Sequence, residues 1–399
     1  MFLKFLFKKF KSKTSILKKV ATLLIINYSL LITNCNAQDS SHIRISLLTC
    51  TPGQELYSIF GHSALRVIDS SLAGNDGRDI VYNYGTFNFD DKNFYIKFTR
   101  GKLLYYVSIE YYDDFIGFYR YENRGITEQV LNFSPEEKIK INQALIENAK
   151  EQNKYYKYDF FFDNCTTRLR DIIKKNKHPQ PIFNAVMPVH ATFRDAIHQY
   201  LEKGGLLWSQ LGIDILLGAK TDAVMTVEQS QFLPDNLMRS LDNNSKQLVL
   251  SEKILTTPHN DKLDKPVFTP FLCFLVLFVF IIGLSFYETA AARRFLQGFD
   301  GMLFFLTGVI GVLLILMWTA TDHIMCANNY NLLWALPAHS IMAFFINSKK
   351  NWVKKYYLIT AIILTVLLLA WFFLPQHLNV ALMPLVLLLI VRSVHTYIK

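Results

Sequence analysis

The hydrophobic positions divide the chain into stretches of different character. From Val20 to Thr33 they run almost unbroken. From about Asp39 to Lys265 they alternate with polar positions at periods of two and of three to four, the mark of strands and helices with one face in water. From Pro266 onward they form five runs, Val267–Tyr287, Met302–Ala320, Leu332–Ile346, Tyr356–Leu374 and Leu378–Val394. Most of these approach the ~20 residues that cross a bilayer as a helix. Leu332–Ile346 is short and contains Pro337 and His339. The pattern predicts an N-terminal segment over 1–37, a soluble domain over 38–265 ending in the polar linker Asp261–Lys265, and a five-helix all-α transmembrane domain over 266–399.

Within the soluble stretch, Ala64–Ile68, Ile80–Tyr84 and Leu103–Ser108 are rich in β-branched and aromatic residues and predict strands. Ser134–Lys138 reads SPEEK, with Ser134 as N-cap, Pro135 in the first turn and Glu137 completing a capping box, so a helix should run to about Lys150. Phe193–Leu201 predicts another helix. The fold class expected is α+β, and no internal repeat is present.

The charge pattern fixes a topology. Lys4, Lys8, Lys9, Lys11, Lys13, Lys18 and Lys19 precede the Val20–Thr33 run, and Ala37 follows it, as in a secretory signal cleaved after Ala37. A loose lipobox at Ile32–Cys35 and an uncleaved anchor are the alternatives, and all three export the next domain. Arg293 and Arg294 follow the first C-terminal run, Lys349, Lys350, Lys354 and Lys355 the third, and Arg392 and Lys399 the fifth. The links Thr321–Asn331 and Pro375–His377 hold no Lys or Arg. The positive-inside rule then keeps the basic links and the C-terminus in the cytoplasm and the soluble domain in the periplasm. This accounts for a net charge of +10 without nucleic acid. Five cysteines without CxxC spacing argue against a metal site and a disulfide framework.

The candidate chemistry lies in YDFFFDNCTTRLRDII, Tyr158–Ile173. Asn164 is a suitable N-cap for a helix beginning at Thr166 or just before, with Leu169, Ile172 and Ile173 on one face. Cys165 then stands in the first turn, where the helix dipole and free N–H groups favour a thiolate and offer a place for an oxyanion. A small core cysteine would fit the same position. A thiol nucleophile needs a base, and His62 in FGHSALRVID, at the mouth of a strand and after Gly61, offers one, although a structural or surface histidine would fit the same pattern. For the group that orients the histidine, Asn83 in IVYNYGTF is the best placed, since alternation turns Tyr82 and Tyr84 to the opposite face. Asp163 and Asn88 are the alternatives.

The order histidine on a strand, polar residue on the next strand, cysteine at a helix start resembles the circularly permuted papain-like thiol enzymes, of which lecithin:retinol acyltransferase is an example. FGHSALRV, IVYNYGTFNF, FTRGKL, ITEQVLNFSPEE, YDFFFDNCTTRLRD, TFRDAI, GIDILLG and FLPDNLM resemble the envelope domain of the Bacteroides-type lipoprotein N-acyltransferases, the Lnb-like family, and Thr321–His339 resembles the polar loop of that family's five-helix membrane domain. The resemblance implies a permuted papain-like domain at the bacterial inner membrane. It implies a cofactor-free acyltransferase with Cys165, His62 and Asn83 as catalytic residues. A fatty acyl chain would pass from phospholipid to Cys165 as a thioester, and then to the N-terminal amine of a diacylglyceryl-cysteine lipoprotein.

Two other functions share the motifs. An envelope cysteine hydrolase cutting peptidoglycan peptides would rarely need five membrane helices. A non-catalytic assembly protein would have no need of an intact Cys165 and His62. Asp322, His323 and His339, at or within the outer membrane boundary, would bind headgroups, dock the soluble domain or bond between helices. Arg66, Arg100 and Lys102 read as phosphate ligands or surface charge, His190 and His198 as partnerless, and Trp318, Trp334 and Trp352 as interfacial anchors.

Overall fold

The computed structural model describes residues 41–71, 79–242, 248–258 and 266–399. The signal segment and the Asp261–Lys265 linker lie outside the described residues. The fold is α+β: an antiparallel sheet with flanking helices is followed by a C-terminal helical region with apolar helices.

The sheet has seven strands: β1 (Ile43–Cys50), β2 (His62–Asp69), β3 (Asp79–Thr86), β4 (Leu104–Tyr111), β5 (Ile126–Leu131), β6 (Tyr155–Lys157) and β7 (Val249–Thr256), in the order β6-β4-β3-β2-β1-β5-β7. Alternation sorts the side chains by face. Ile45 and Leu47 of β1 join Leu65, Tyr82, Tyr84 and Val107 in one core. Leu48 and Cys50 join Ala64, Val81 and Ile126 on the other face. The second face is closed by α2 (Tyr112–Tyr121) through Phe115, Ile116 and Tyr119. The first is closed by α3 (Pro135–Asn148), α4 (Cys165–Asn176) and α7 (Pro234–Asp242) through Ile141, Leu145, Leu169, Ile173 and Leu237. The predicted Ser134 capping box is present in full. Between β3 and β4 lies the short helix α1 (Phe94–Thr99).

After α5 (Phe193–Lys203) comes α6 (Leu207–Leu216), an apolar helix that joins the two halves of the chain. Leu211 packs in the core of the C-terminal helices with Trp334 and Leu385, while Ile213 packs with Phe161, Phe193 and Phe232 of the soluble domain. Its C-terminal end is stitched to the loop beyond the second apolar helix: Gly218 N–H donates to Met325 O at 2.8 Å, and Ala219 N–H to Asn328 O at 3.1 Å. A Cβ on Gly218 would lie 2.0 Å from Ala327 O, so this approach requires glycine.

The C-terminal region holds α8 (Pro270–Ser285), α9 (Ala290–Thr319), α10 (Asn351–Leu369) and α11 (Met383–Ile398). Three helices among the described residues are long and apolar enough to span a membrane: Ala290–Thr319, Asn351–Leu369 and Val380–Ile398. Pro270–Ser285 is apolar but shorter. The third predicted run, Leu332–Ile346, is not one helix. It breaks into short pieces around Pro337, which lacks the N–H a helix needs. Gly308 and Gly311 of α9 admit its backbone, since a Cβ on either would lie about 2.0 Å or less from Ser340 N or Ala335 O. Trp334 is not an interfacial anchor: it is buried, its indole bonded to Asn331 Oδ1. Arg392 is not a flanking charge either, since it pairs with Asp300 inside the bundle at 2.6 Å.

Candidate active site

Cys165 is the first residue of α4, and Asn164 caps that helix in detail. The Asn164 carbonyl oxygen accepts the N–H groups of Thr166 and Thr167, both at 2.9 Å, while its amide donates to Phe160 O at 2.7 Å and Phe232 O at 2.9 Å. Every polar atom of this buried side chain is used, which fixes the helix start. The cap also corrects one expectation. Two first-turn N–H groups are spent on Asn164, so the N–H of Cys165 itself is the one left without a hydrogen bond among the described residues.

His62 reaches the thiol from β2. Gly61, just before it, has φ +79 and lies so near β1 that a Cβ would sit 2.8 Å from Cys50 O. Only glycine turns the chain into β2 there without strain. On β3, Gly85 has φ +92 at a register shift against β4, and a Cβ there would touch Cys165 Cβ at 3.6 Å. These two turns bring the β2 start and the β3 end to the N-terminus of α4.

The Cys165 thiol lies within electrostatic reach of the His62 ring and the backbone N–H of Ser63, and stands 3.7 Å from the Thr166 hydroxyl. Burial alone would raise this thiol. The His62 charge and these donors outweigh it and bring the thiol down to about 7 from an ordinary 9.0. Burial works against the His62 charge as well, but the Cys165 thiolate and Asn83 raise that imidazole above its ordinary value. Both shifts favour the same state, a thiolate beside an imidazolium. Cys50, on β1 opposite His62, differs: burial pushes it up to about 12, so it stays a neutral thiol.

The far nitrogen of His62, Nε2, meets Asn83 Oδ1 at 2.5 Å, and Asn83 Nδ2 donates to Glu110 Oε1 at 2.8 Å. The polarity of this chain is forced. An ionised carboxylate only accepts, so the Asn83 amide nitrogen faces Glu110 and its oxygen faces His62. Nε2 therefore carries the proton, and Nδ1 is the nitrogen at the thiol. The predicted trio Cys165, His62 and Asn83 is thus brought together. Asp163 pairs with Arg168 at 2.7 Å, and Asn88 accepts the N–H of Asp90, so neither is the residue at His62 Nε2. Glu110 was not foreseen. It sits on β4 across from Val81, on the face that Val81 shares with Asn83, a relation visible only once the β3–β4 register is known.

The trio opens on a cavity of about 640 Å³. Its wall is mostly aromatic and aliphatic, with Phe60, Phe87, Tyr105, Tyr158 and Phe232 from the soluble domain and His323–Cys326 from the loop after α9. Among the described residues no His, Cys, Asp and Glu are grouped as a metal site needs.

A family profile described as the Lnb N-terminal periplasmic domain matches residues 33–200, and one described as the Lnb transmembrane domain matches residues 262–399. The chain belongs to the Lnb-like family. It is therefore a membrane protein of the envelope, with a periplasmic N-terminal domain and a transmembrane domain. Comparison with curated proteins and with solved structures finds no match.

Several polar residues have other duties in this Lnb-like chain. Arg66 is neither a phosphate ligand nor a surface charge: it is buried between Asp79 at 2.5 Å and Glu128 at 3.1 Å. His198 has a partner, Asp214, at 2.8 Å. Asp214 and Asp222 hold the buried Arg194, and Asp214 also accepts from Asn379 at 2.8 Å, so the cluster joins α5 and α6 to the loop before α11. Asp322 and His323 dock on the soluble domain, as described below. His339 bonds Tyr356 at 2.5 Å inside the bundle.

Proposed function

We propose that the protein is a lipoprotein N-acyltransferase of the inner membrane, in which Cys165 carries a fatty acyl chain from phospholipid to the N-terminal amine of a diacylglyceryl-cysteine lipoprotein. The observation that carries this reading is a cysteine at a capped helix start, gathered with His62 and Asn83 at an apolar cavity walled partly by the membrane domain.

In the first half-reaction the Cys165 thiolate adds to an ester carbonyl of the phospholipid. The Cys165 N–H is the free donor for the resulting oxyanion. Collapse breaks the ester C–O bond, and the His62 imidazolium gives its proton to the departing lysophospholipid oxygen. A thioester remains on Cys165. In the second half-reaction the lipoprotein amine adds to that carbonyl, neutral His62 takes the amine proton, and the C–S bond breaks. The amide forms, and the thiolate–imidazolium pair returns. Asn83 holds the ring in one tautomer through both steps, with Glu110 holding Asn83. An apolar cavity keeps water from the thioester between the steps. No cofactor enters this scheme. The soluble domain over 38–265 takes the permuted papain-like arrangement, ahead of a membrane domain over 266–399 that crosses five times, the third time as the broken segment around Pro337, with its C-terminus in the cytoplasm.

The test is mass spectrometry of lipoprotein N-termini from cells with the wild-type chain and with Cys165→Ala. Triacylated N-termini should be replaced by diacylated ones with a free amine. Unchanged triacylation in Cys165→Ala cells that lack any other such enzyme would overturn the reading.

A further inference from the structure

Beside the cavity, whose wall includes Phe98, a short helix carries large apolar side chains that no other described residue covers. In α1, Phe94–Thr99, no residue is buried. Tyr95 is 78% exposed, Ile96 60% and Phe98 52%. The one charge of the helix, Lys97, is held by Asp91 at 2.5 Å. An apolar surface of this kind marks an interaction site.

What covers it follows from how α1 is fastened. Asp322 N–H donates to Arg100 O at 3.0 Å, His323 Nε2 bonds Phe98 O at 3.2 Å, and Lys157 pairs with Asp322 at 3.3 Å. A Cβ on Gly101 would lie 3.2 Å from Asp322 Cβ. Asp322 and His323 directly follow α9, Ala290–Thr319, the longest of the apolar helices that can span a membrane. The carbonyl end of α1 therefore sits one hydrogen bond from the residues that follow the C-terminal end of α9. The same residues border the cavity, whose wall contains Phe98 and Gly101 on one side and His323 and Ile324 on the other.

We propose that α1 lies in the outer leaflet of the membrane with Tyr95 and Ile96 among the lipids, and that the cavity opens beside it so that an acyl chain reaches Cys165 directly from the bilayer. The partner is a lipid surface. The seating of α1 stands on its own geometry; the route for the acyl chain rests on the acyltransferase reading.

The test uses the full chain in vesicles of phosphatidylethanolamine and phosphatidylglycerol. One nitroxide is attached at Ile96→Cys and, separately, one at Ile146→Cys on the exposed face of α3, in a Cys165→Ala, Cys273→Ser background. The label at 96 should be more accessible to oxygen than to a water-soluble nickel chelate, and the label at 146 the reverse. Equal nickel access at both sites would overturn the seating. In the otherwise wild-type chain, the pair Tyr95→Asp and Ile96→Asp should slow acylation of Cys165 by vesicle phospholipid tenfold or more, while its alkylation by iodoacetamide stays unchanged. Undiminished acylation would overturn the route. A wild-type chain that takes no acyl group while position 96 reports lipid would overturn the route together with the acyltransferase reading, and support the seating.

Discussion

Replacing His62 with alanine should return the Cys165 thiol to the titration of a buried cysteine. With the imidazole in place it titrates at about 7; without it, both His62 influences are lost and burial, the largest influence, drives the thiol upward toward or past the ordinary 9.0. At pH 6 a thiol of pKa about 7 is roughly 9% thiolate, and one of pKa 9.0 is roughly 0.1%, about a hundredfold less. The more basic thiolate is also the better nucleophile, by roughly six- to tenfold for this difference, so the net loss in alkylation is about tenfold at pH 6. The gap should close as pH rises. The assay is the rate of iodoacetamide alkylation of Cys165 between pH 5 and 10, read by mass spectrometry of its peptide. The wild-type midpoint should lie near 7 and that of His62→Ala well above it. Acyl transfer should fall further, by ~10²–10⁴, because proton transfer at the ester and amine is lost too. A His62→Ala midpoint that stays near 7 would refute the reasoning and assign the thiolate to the helix start, Ser63 N–H and Thr166 instead.

Other consequences are open to measurement. Glu110→Gln gives Asn83 a partner that can donate as well as accept, so the polarity of the chain is no longer forced; acyl transfer should fall by roughly 10- to 100-fold with the melting midpoint nearly unchanged. Equal activity would show that Asn83 needs no such support. Arg194→Met leaves Asp214 and Asp222 buried without their cation and should cost ~3–5 kcal/mol, seen as earlier thermal unfolding of the detergent-solubilised chain. An unchanged midpoint would show that the cluster does not brace the junction. A reporter active only in the cytoplasm should work when fused after Lys349 or Lys399 and fail at Asn328; activity at Asn328 would reverse the topology.

Much of the site was legible because its parts are local patterns. DNCTT announces a capped helix start, GHSALRV a strand with glycine before its first residue, and strand alternation separates Asn83 from Tyr82 and Tyr84. What was not legible depends on pairing between distant segments. Glu110 meets Asn83 only through the β3–β4 register. Asp214 meets His198, Arg194 and Asn379 only because α6 bridges soluble and membrane parts. Within apolar helices, hydropathy reports composition but not facing. Trp334 and Arg392 therefore read as boundary residues although both are buried among helices. Pro337 was a visible warning against a continuous third span, and the broken backbone around it bears that out.

The central claim is that Cys165 takes a fatty acyl chain from phospholipid. In a phospholipid membrane without lipoprotein, the first half-reaction can proceed and the second cannot, so the acyl-enzyme should accumulate. Mass spectrometry of the full-length protein purified from such vesicles should find the Cys165 peptide heavier by one fatty acyl chain. Neutral hydroxylamine should remove this mass, as should a diacylated lipopeptide with a free N-terminus, and Cys165→Ala should never carry it. A Cys165 peptide that stays unmodified in phospholipid, together with cleavage of peptidoglycan peptides by the same preparation, would contradict the account and make the protein a hydrolase.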